Sequence, residues 1–265
     1  MSYLLKPKVA HPGLPKNELG LTRRDYEGTM STLCAGCGHD SITAAITEAC
    51  WGMLTLYDYL PSQNGYKIRL LLNQLERPYR SEIVGIFAGE GRRPEYLAIN
   101  PTGAVPAIRL EDGRVLAESN AILFYLAEGS RFLPADSFTR AKILQWMSFE
   151  SDYVQSTAGS LRYWTLTDKL PRRPKEMIEA KRDGALKALA ALDRELAQRP
   201  FIVGEDYTIA DISLFAYTHV ASEAELPLRN YTYVNAWIDR VRRQPRFVDK
   251  VYPYSIDPYS SRELP

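Results

Sequence analysis

The order of hydrophobic patterns between residues 54 and 129 constrains the fold of this chain more than any other sequence feature. "LTLYDY" at 54–59 predicts a short strand, "NGYKIRLLLNQLE" at 64–76 predicts a helix, and "YRSEIVGI" at 79–86 alternates as a second strand. The apolar face of the helix is formed by Ile68, Leu71, Leu72 and Leu75. A strand, a helix and a strand with short links predict a right-handed βαβ unit with parallel strands.

The next segment predicts a hairpin and a helix. In "VPAIRLEDGRVLAES" at 105–119, the pair Asp112-Gly113 is typical of a type I′ turn, which needs positive φ at both central residues. "SNAILFYLAEG" at 119–129 then predicts a helix with Ser119 at its cap and Gly129 at its end. A βαβ unit followed by two strands and a helix is the arrangement of a thioredoxin-like sheet.

The remainder of the chain has helical periodicity. Predicted helices cover 138–164, 175–198, 208–220 and 233–245. Thr208 caps the third of these, and the Asp211 carboxylate can return to the Thr208 amide in a capping box. We therefore expect an α/β thioredoxin-like domain at 53–131 and an all-helical domain at 138–265.

Composition excludes several classes of partner. The apolar and charged fractions, 45% and 25%, are those of an ordinary globular protein, and the net charge of +1 provides no field to attract nucleic acid. No apolar run is long enough to span a bilayer, and no apolar signal core is found at the N-terminus. We expect a cytoplasmic protein that binds neither nucleic acid nor membrane.

Residues 1–52 differ from the rest and are expected to form an N-terminal extension. Its first part contains several Pro, Gly and Lys without any regular period, which predicts a partly disordered arm. "HDSITAAITEACWGM" follows and predicts one helix near 40–51, capped by Asp40 or Ser41.

Within this extension, "LCAGCGHDSITAAI" holds Cys34, Cys37 and His39. The segment resembles the start of the thiamine-diphosphate-binding β subunit of 2-oxoacid:ferredoxin oxidoreductases, where two such cysteines help to ligate an iron–sulfur cluster. A cluster or a structural zinc site takes four ligands, and Cys50 is the only further cysteine. We expect no metal site and a non-catalytic extension or fusion remnant, with an incidental metal site or a redox or cofactor role as alternatives.

Three motifs carry a resemblance over residues 53–265. They are "NPTGAVPAI" (100–108), "ESNAILFYLAE" (118–128) and "FIVGEDYTIADISLF" (201–215). In this order and spacing they resemble the soluble glutathione transferases, and "PSQNGYKI" at 61–68 resembles the nu class of that family. The resemblance implies the glutathione-transferase fold, glutathione as co-substrate with no resident cofactor or metal, and a homodimer.

The resemblance also implies where glutathione binds. Ser119, with the free amides at the start of its helix, suits the γ-glutamyl carboxylate, and Glu118 suits the ammonium group. A cis proline opens the third strand in this family, so Pro106 would be structural and the Val105 backbone would pair with the cysteinyl part. Taken alone, without the matched motif, Ser119 is more simply interpreted as a helix cap and Glu118 as a solvated residue.

The thiol of glutathione needs an activating group. A free thiol has a pKa of about 8.5, and lowering it by two units takes roughly 2.7 kcal/mol of thiolate stabilisation. Resemblance to the nu class assigns Ser62 as the first donor and Asn64 as the second, at the start of the 64–76 helix. Tyr57 and Tyr59 are alternatives, because several classes use a first-strand tyrosine.

Selectivity is expected from the long helix at 138–164. Its aromatic and cationic residues Tyr153, Arg162, Tyr163 and Trp164 suit a flat electrophile or the carboxylates of a second glutathione. Arg92 and Arg93 could contact the glycyl carboxylate, although a solvated loop is the simpler interpretation.

The leading hypothesis is an enzyme that stabilises the thiolate of bound glutathione for attack on a small electrophile or a disulfide. No cysteine follows Cys50, so disulfide chemistry in the body would have to use bound glutathione. The alternatives are a transferase-like binding or assembly module without catalysis and, from the extension, a thiamine or iron–sulfur oxidoreductase fragment.

Overall fold

The computed structural model describes residues 53–265. The predicted extension at 1–52, with its helix near 40–51 and its Cys-Gly-His segment, lies outside the described residues. Over the described part, the chain forms a four-stranded sheet with its own helices and then continues as helices.

The sheet has the predicted mixed topology. Its strands are β1 (Leu54–Asp58), β2 (Tyr79–Ile83), β3 (Ala107–Arg109) and β4 (Val115–Ala117). They lie in the order β2-β1-β3-β4, with β2 parallel to β1 and the other two pairs antiparallel. Leu56, at the centre of β1, is fully buried and pairs with Ser81 on one side and Ile108 on the other. The carboxyl end of β1 therefore leads directly into the first helix at the middle of the sheet.

Three helices accompany the sheet: α1 (Gln63–Gln74), α2 (Pro94–Leu97) and α3 (Ser119–Leu126). Helix α1 begins after Ser62, whose side chain caps it, because a serine in extended conformation can accept from a free amide of the first turn. Its apolar residues lie at zero exposure between the sheet and the helical part. Helix α1 thus holds both parts together.

The hairpin between β3 and β4 differs from the prediction. Of the two turn residues, only Gly113 has a positive φ, at 87°, so the predicted type I′ turn is wrong. The Gly113 amide donates to the Leu110 carbonyl over 2.9 Å, and the Leu110 amide donates to the Arg114 carbonyl over 2.8 Å. A turn closed by one left-handed glycine needs positive φ only once, and the Asp112 carboxylate supports it by accepting from the Arg114 amide at 3.0 Å.

The helical part contains α4 (Ser137–Phe149), α5 (Ser160–Leu166), α6 (Lys175–Leu196), α7 (Ile209–Thr218) and α8 (Thr232–Arg242). Between α4 and α5 the chain continues as a π-helix over Glu150–Gly159, so the predicted single helix has a wider middle segment. None of the helices in residues 53–265 is long and apolar enough to cross a membrane.

Helix α7 lies at the centre of the helical part and begins with the predicted capping box. Thr208 accepts from the Ala210 amide, and the Asp211 carboxylate accepts from the Thr208 amide at 2.9 Å. The other oxygen of Asp211 accepts from the Ile202 amide and from the Trp237 indole, each at 2.9 Å. One buried carboxylate therefore fixes the start of α7 against two neighbouring segments.

Candidate active site

A cleft of about 360 Å³ lies between the sheet and the long helix. Its polar lining includes Ser62, Arg92, Thr102 and Gln155, its aromatic lining includes Tyr59, Phe87, Tyr163, Tyr217 and Tyr254, and Val105 also lines it. Two predicted glutathione contacts, Ser62 and Val105, are thus brought to one cavity from separate parts of the sheet domain. A lining of both polar and aromatic residues suits a peptide thiol and an apolar second substrate.

Ser62 sits where β1 gives way to α1. Its Oγ accepts from the Gly65 amide at 3.4 Å, and because this bond uses a lone pair, the hydroxyl proton can be donated to a ligand. Asn64 does not line the cleft; its Oδ1 accepts from the Ser119 hydroxyl at 3.3 Å. The two candidate activating residues therefore have different environments, with Ser62 facing the cavity and Asn64 joined to the predicted γ-glutamyl site.

The turn that carries Ser62 is supported by a buried ion pair. Asp58, the last residue of β1, pairs with Arg69 of α1, and Arg69 also donates to the Leu60 carbonyl at 2.9 Å. A Cβ at residue 65 would collide with the Asp58 carboxylate, so the packing requires Gly65. This explains why the Asn-Gly pair of the motif follows Ser62 so closely.

Of the two tyrosines considered as alternatives, Tyr57 and Tyr59, only one lines the cleft, as was the case for Ser62 and Asn64. Tyr59 lines the cleft, and burial raises the pKa of its phenol, which keeps the hydroxyl protonated as a donor. Tyr57 packs edge-on against Tyr96 with ring centroids 5.9 Å apart and does not line the cleft. Of the two alternatives to Ser62 and Asn64, only Tyr59 is placed to reach a ligand there.

The loop before β3 presents backbone groups to the cleft. The Val105–Pro106 peptide is cis, as the family resemblance implies, and Val105 lines the cavity while Pro106 does not. The Ala104 carbonyl accepts from the Tyr96 hydroxyl at 2.6 Å and from the Asn100 amide at 2.8 Å. These side chains anchor the loop, so that the Val105 backbone is held in place for a peptide ligand.

Glu118 and Ser119 lie at the junction of β4 and α3. The cap residue of α3 is Glu118, so the predicted cap at Ser119 is wrong by one position. Glu118 has a φ of 69°, a conformation that residues other than glycine rarely adopt. Ser119 is 7% exposed, and its Oγ accepts from Lys67 at 3.3 Å while donating to Asn64. The motif therefore forms a strained corner whose serine is already part of a hydrogen-bonded chain.

Lys67 and Glu150 are site residues that sequence reasoning missed. Lys67 Nζ lies 2.8 Å from Glu150 Oε2, and both side chains have zero exposure. Burial lowers the pKa of Lys67, and the Glu150 carboxylate opposes that shift. A sequence signal existed: Lys67 is one helical turn before Leu71, and Glu150 one turn before Val154, so each charge stands among apolar face positions.

The residues predicted for the electrophile pocket do not line the cleft. Tyr153 is 56% exposed and stacks on Phe149. Arg162 is buried and donates to Glu223 at 2.6 Å, and Trp164 lies beside Arg173 and Lys181. Tyr153 lies within the π-helical segment and Arg162 and Trp164 lie after it, and of the four residues only Tyr163 lines the cavity.

The last part of the chain forms one wall of the cleft. The Tyr254 ring lies 6.1 Å from that of Tyr59 and 6.0 Å from that of Tyr163. Beyond it, Lys169 donates to the Ser260 carbonyl at 2.5 Å, and Arg173 pairs with Glu263 at 2.7 Å. The sequence suggested no structure for this segment, whose local contacts are single turns such as the one at Tyr254–Ile256 and whose ion pair and lysine contact are with residues about 90 positions away.

Arg92 also lines the cleft, where it donates to the Thr102 carbonyl at 2.9 Å. Arg92 and Arg93 are both exposed, in agreement with a solvated loop, and Arg92 lies at the edge of the cavity. Among residues 53–265, no group of three or more His, Cys, Asp and Glu side chains could hold a metal ion.

A mixed thioredoxin-like sheet with a cis-prolyl loop and a serine-capped helix at one cleft, followed by a helical domain, defines a protein of the glutathione-transferase fold. Residues 61–128 match the family model of the glutathione S-transferase N-terminal domain, and residues 146–245 match that of the C-terminal domain. The chain belongs to the glutathione S-transferase family.

Individual relatives agree with this assignment. The disulfide-bond oxidoreductase YfcG of Escherichia coli is 32% identical over 200 residues, which are 73% of this chain and 92% of the relative. A glutathione S-transferase structure from Pseudomonas fluorescens is 41% identical with a TM-score of 0.72, covering 74% of this chain and 98% of that one. A second P. fluorescens family member, solved with two glutathione molecules bound, is 27% identical with a TM-score of 0.67, covering 74% and 90%.

Proposed function

We propose that the cleft binds glutathione and stabilises its thiolate. The observation that carries this proposal is that Ser62 and Val105 line one cavity while Ser119, the predicted carboxylate partner, is hydrogen-bonded to Asn64 beside it. In this arrangement the Val105 backbone pairs with the cysteinyl part, Pro106 shapes the loop, and Glu118 and Ser119 hold the γ-glutamyl end.

Ser62 is the proposed first donor to the thiolate. It lies at the N-terminus of α1, where free amides and the helix dipole favour negative charge, and its hydroxyl faces the cavity. Lowering a thiol pKa by two units needs roughly 2.7 kcal/mol, which is within reach of one charge-assisted hydrogen bond together with the dipole. Asn64 is the proposed second contributor.

The thiolate then attacks a second substrate. With an electrophile, the sulfur forms a thioether and the leaving group departs with the bonding electron pair. With a disulfide, the sulfur bonds to one sulfur of the substrate and the other leaves as a thiolate; a second glutathione resolves the mixed disulfide to glutathione disulfide. Residues 53–265 contain no cysteine, so the attacking sulfur there is that of glutathione. The disulfide-bond oxidoreductase among the relatives supports this second reaction.

The aromatic wall of the cleft is the proposed second-substrate pocket. Phe87 and Tyr163 stack with ring centroids 6.1 Å apart, and Tyr217 and Tyr254 complete the wall. We place the electrophile there rather than at Tyr153, Arg162 and Trp164, which lie outside the cavity. A flat aromatic substrate matches these rings.

Ultraviolet difference absorbance of the thiolate, measured while glutathione is added at several pH values, tests the proposal. We expect the bound thiol of the wild type to titrate about two pH units below free glutathione. Ser62→Ala should return much of that shift, and Asn64→Ala less. S-methylglutathione, which has no thiol, is the control that shows whether each variant still binds.

The outcomes separate the hypotheses. Thiolate formation together with turnover of an aryl halide or a disulfide supports the enzyme. If S-methylglutathione binds but no thiolate forms, the protein is a binding or assembly module instead. If neither ligand binds, the glutathione site itself is wrong.

The proposed assembly is a homodimer, and the proposed compartment is the cytoplasm, where thiols are kept reduced. A groove of about 800 Å³ on the outer face of α3 and α4 supports the dimer. Its lining includes the apolar residues Leu116, Phe124, Leu144 and Met147.

A further inference from the structure

A buried cation stands directly behind the proposed γ-glutamyl site. Lys67 Nζ donates to Ser119 Oγ at 3.3 Å and to Glu150 Oε2 at 2.8 Å, and the Tyr217 ring lies 5.6 Å from the same atom. The Lys67 side chain has zero exposure, and besides these groups the Glu118 carboxylate acts on its charge.

Stability alone does not account for this pair. The free energy needed to remove two charges from water is about as large as the attraction between them in the interior. A protein with a well-packed apolar pair in place of the ion pair is therefore often equally stable. The pair also spans two parts of the molecule, since its residues are 83 positions apart in the sequence. What Lys67 adds over an apolar residue is its hydrogen bond to Ser119.

That bond determines what Ser119 can do. An ammonium group only donates, so the Ser119 oxygen accepts from Lys67 and its single proton must point elsewhere. In the structure the proton goes to Asn64 Oδ1 at 3.3 Å. A carboxylate arriving at Ser119 would take the same proton, and donation from Lys67 makes the hydroxyl a stronger donor.

Glu150 fixes Lys67 from the helical domain. Its Oε2 also accepts from Asn120 at 3.1 Å and from Ser213 at 3.2 Å, so side chains from α1, α3 and α7 converge on one oxygen. The position of Lys67, and through it that of the Ser119 hydroxyl, therefore depends on how the helical domain packs against the sheet domain.

We infer that Lys67, held by Glu150, is a positioning residue that orients the Ser119 hydroxyl as a donor to the γ-glutamyl carboxylate of glutathione. This inference rests on the proposed function, because it assumes that glutathione occupies the cleft. It assigns recognition of the carboxylate to a chain of three side chains, of which only Ser119 touches the ligand.

The test uses the double variant Lys67→Met/Glu150→Gln. Removing one charge alone would leave the other buried and unpaired, whereas this variant is neutral at both positions and keeps an acceptor for Asn120 and Ser213. Calorimetry measures its affinity for glutathione and for 4-aminobutanoyl-cysteinylglycine, the analogue without the γ-glutamyl carboxylate. We expect affinity for glutathione to fall roughly tenfold and affinity for the analogue to stay unchanged.

A combination with Ser119→Ala shows whether Lys67 acts through Ser119. If it does, the triple variant binds glutathione no more weakly than Ser119→Ala alone, because the two changes remove the same interaction. Equal losses for both ligands, or additive losses in the triple variant, would overturn the inference and leave Lys67 a structural residue. If the wild type itself does not prefer glutathione to the analogue, the proposed γ-glutamyl site fails instead.

Discussion

At the scale of single residues, Glu118 has a backbone conformation that favours glycine and a carboxylate that glycine lacks. Its φ of 69° with a ψ of 114° places an L-residue in a region that costs on the order of 1–3 kcal/mol. Glycine, which has no Cβ, would adopt this conformation with less strain, but it would remove the carboxylate proposed to meet the γ-glutamyl ammonium. The strain is therefore expected to be retained for binding.

Replacement of this residue separates the two effects. We expect Glu118→Gly to raise the free energy of unfolding by about 1 kcal/mol, through relief of backbone strain, while weakening glutathione binding. Glu118→Gln, the matched control, keeps the strain and should weaken binding without raising stability. Denaturant unfolding and calorimetry measure both quantities, and a Glu118→Gly protein no more stable than the wild type would argue against strain.

His219 makes stability depend on pH. It follows α7 and stacks on Phe215 with centroids 4.2 Å apart, and burial lowers its pKa from 6.5 to about 4, with Arg242 and Arg162 adding to the shift. The unfolded chain binds the proton at a higher pH than the native one, so stability is complete above 6.5 and falls as the pH drops towards 4.

In the wild type, His219 is expected to lower the free energy of unfolding by about 2 kcal/mol as the pH falls from about 7 to about 5. His219→Phe should remove this pH-dependent loss, because phenylalanine does not titrate. The variant keeps the ring stacking, and the Phe215 carbonyl still accepts from the backbone amide of residue 219 at 3.0 Å. Burial raises the pKa of Asp211 to about 6, which acts in the opposite direction at the same pH. The quantity to compare is therefore the difference in free energy of unfolding between variant and wild type at each pH. If the two pH profiles are parallel, His219 is not the cause of the loss.

At the level of elements, the π-helical segment decides which side chains reach the cleft. It ends at Gly159, where an added Cβ would lie 2.8 Å from the Tyr217 ring. The missing side chain lets α7 approach the long helix closely enough for Tyr217 to line the cavity. Packing of these two helices and the shape of the aromatic wall are thus set together.

Replacing glycine by alanine within a helix usually increases stability, but Gly159→Ala is expected to decrease it. The overpacked ring should lower the free energy of unfolding by about 1–3 kcal/mol and, by moving Tyr217 into the cavity, raise the KM for an aromatic electrophile. Gly204→Ala is the control, since a Cβ there meets nothing within 4 Å. Steady-state kinetics and thermal unfolding give the answer, and a stabilised, kinetically unchanged Gly159→Ala protein would contradict it.

Elements with strong local signals were predictable. The helices α1 and α6 and the capping box at Thr208 follow from periodicity and cap residues that act within one helical turn. The positive φ at Glu118 and the π-helical segment could not be predicted from the sequence, because both depend on packing between distant segments. Of the site, the motif residues Ser62 and Val105 were placed in the cleft, while Lys67 was missed because its partner is far along the chain.

At the level of the whole molecule, the unpartnered groove on α3 and α4 predicts self-association. Leu144 lines it with 47% exposure, so a charge there should disfavour burial against a second copy. We expect Leu144→Glu to shift the mass in sedimentation equilibrium from dimer to monomer. Met177→Glu, at a site of 45% exposure on α6, should leave the dimer intact. A wild type that is monomeric at micromolar concentration would refute the homodimer.

The segment that contributes Tyr254 to the cleft is fastened partly by charge. The Arg173–Glu263 pair has side-chain exposures of 25% and 52%, so dissolved ions can reach it, unlike the buried contacts around Ser119. Screening at high ionic strength should loosen this wall without disturbing the glutathione end of the site. Rising salt would then speed the exchange of bulky second substrates while the thiol pKa stays constant, which makes ionic strength a control on access that is independent of the chemistry.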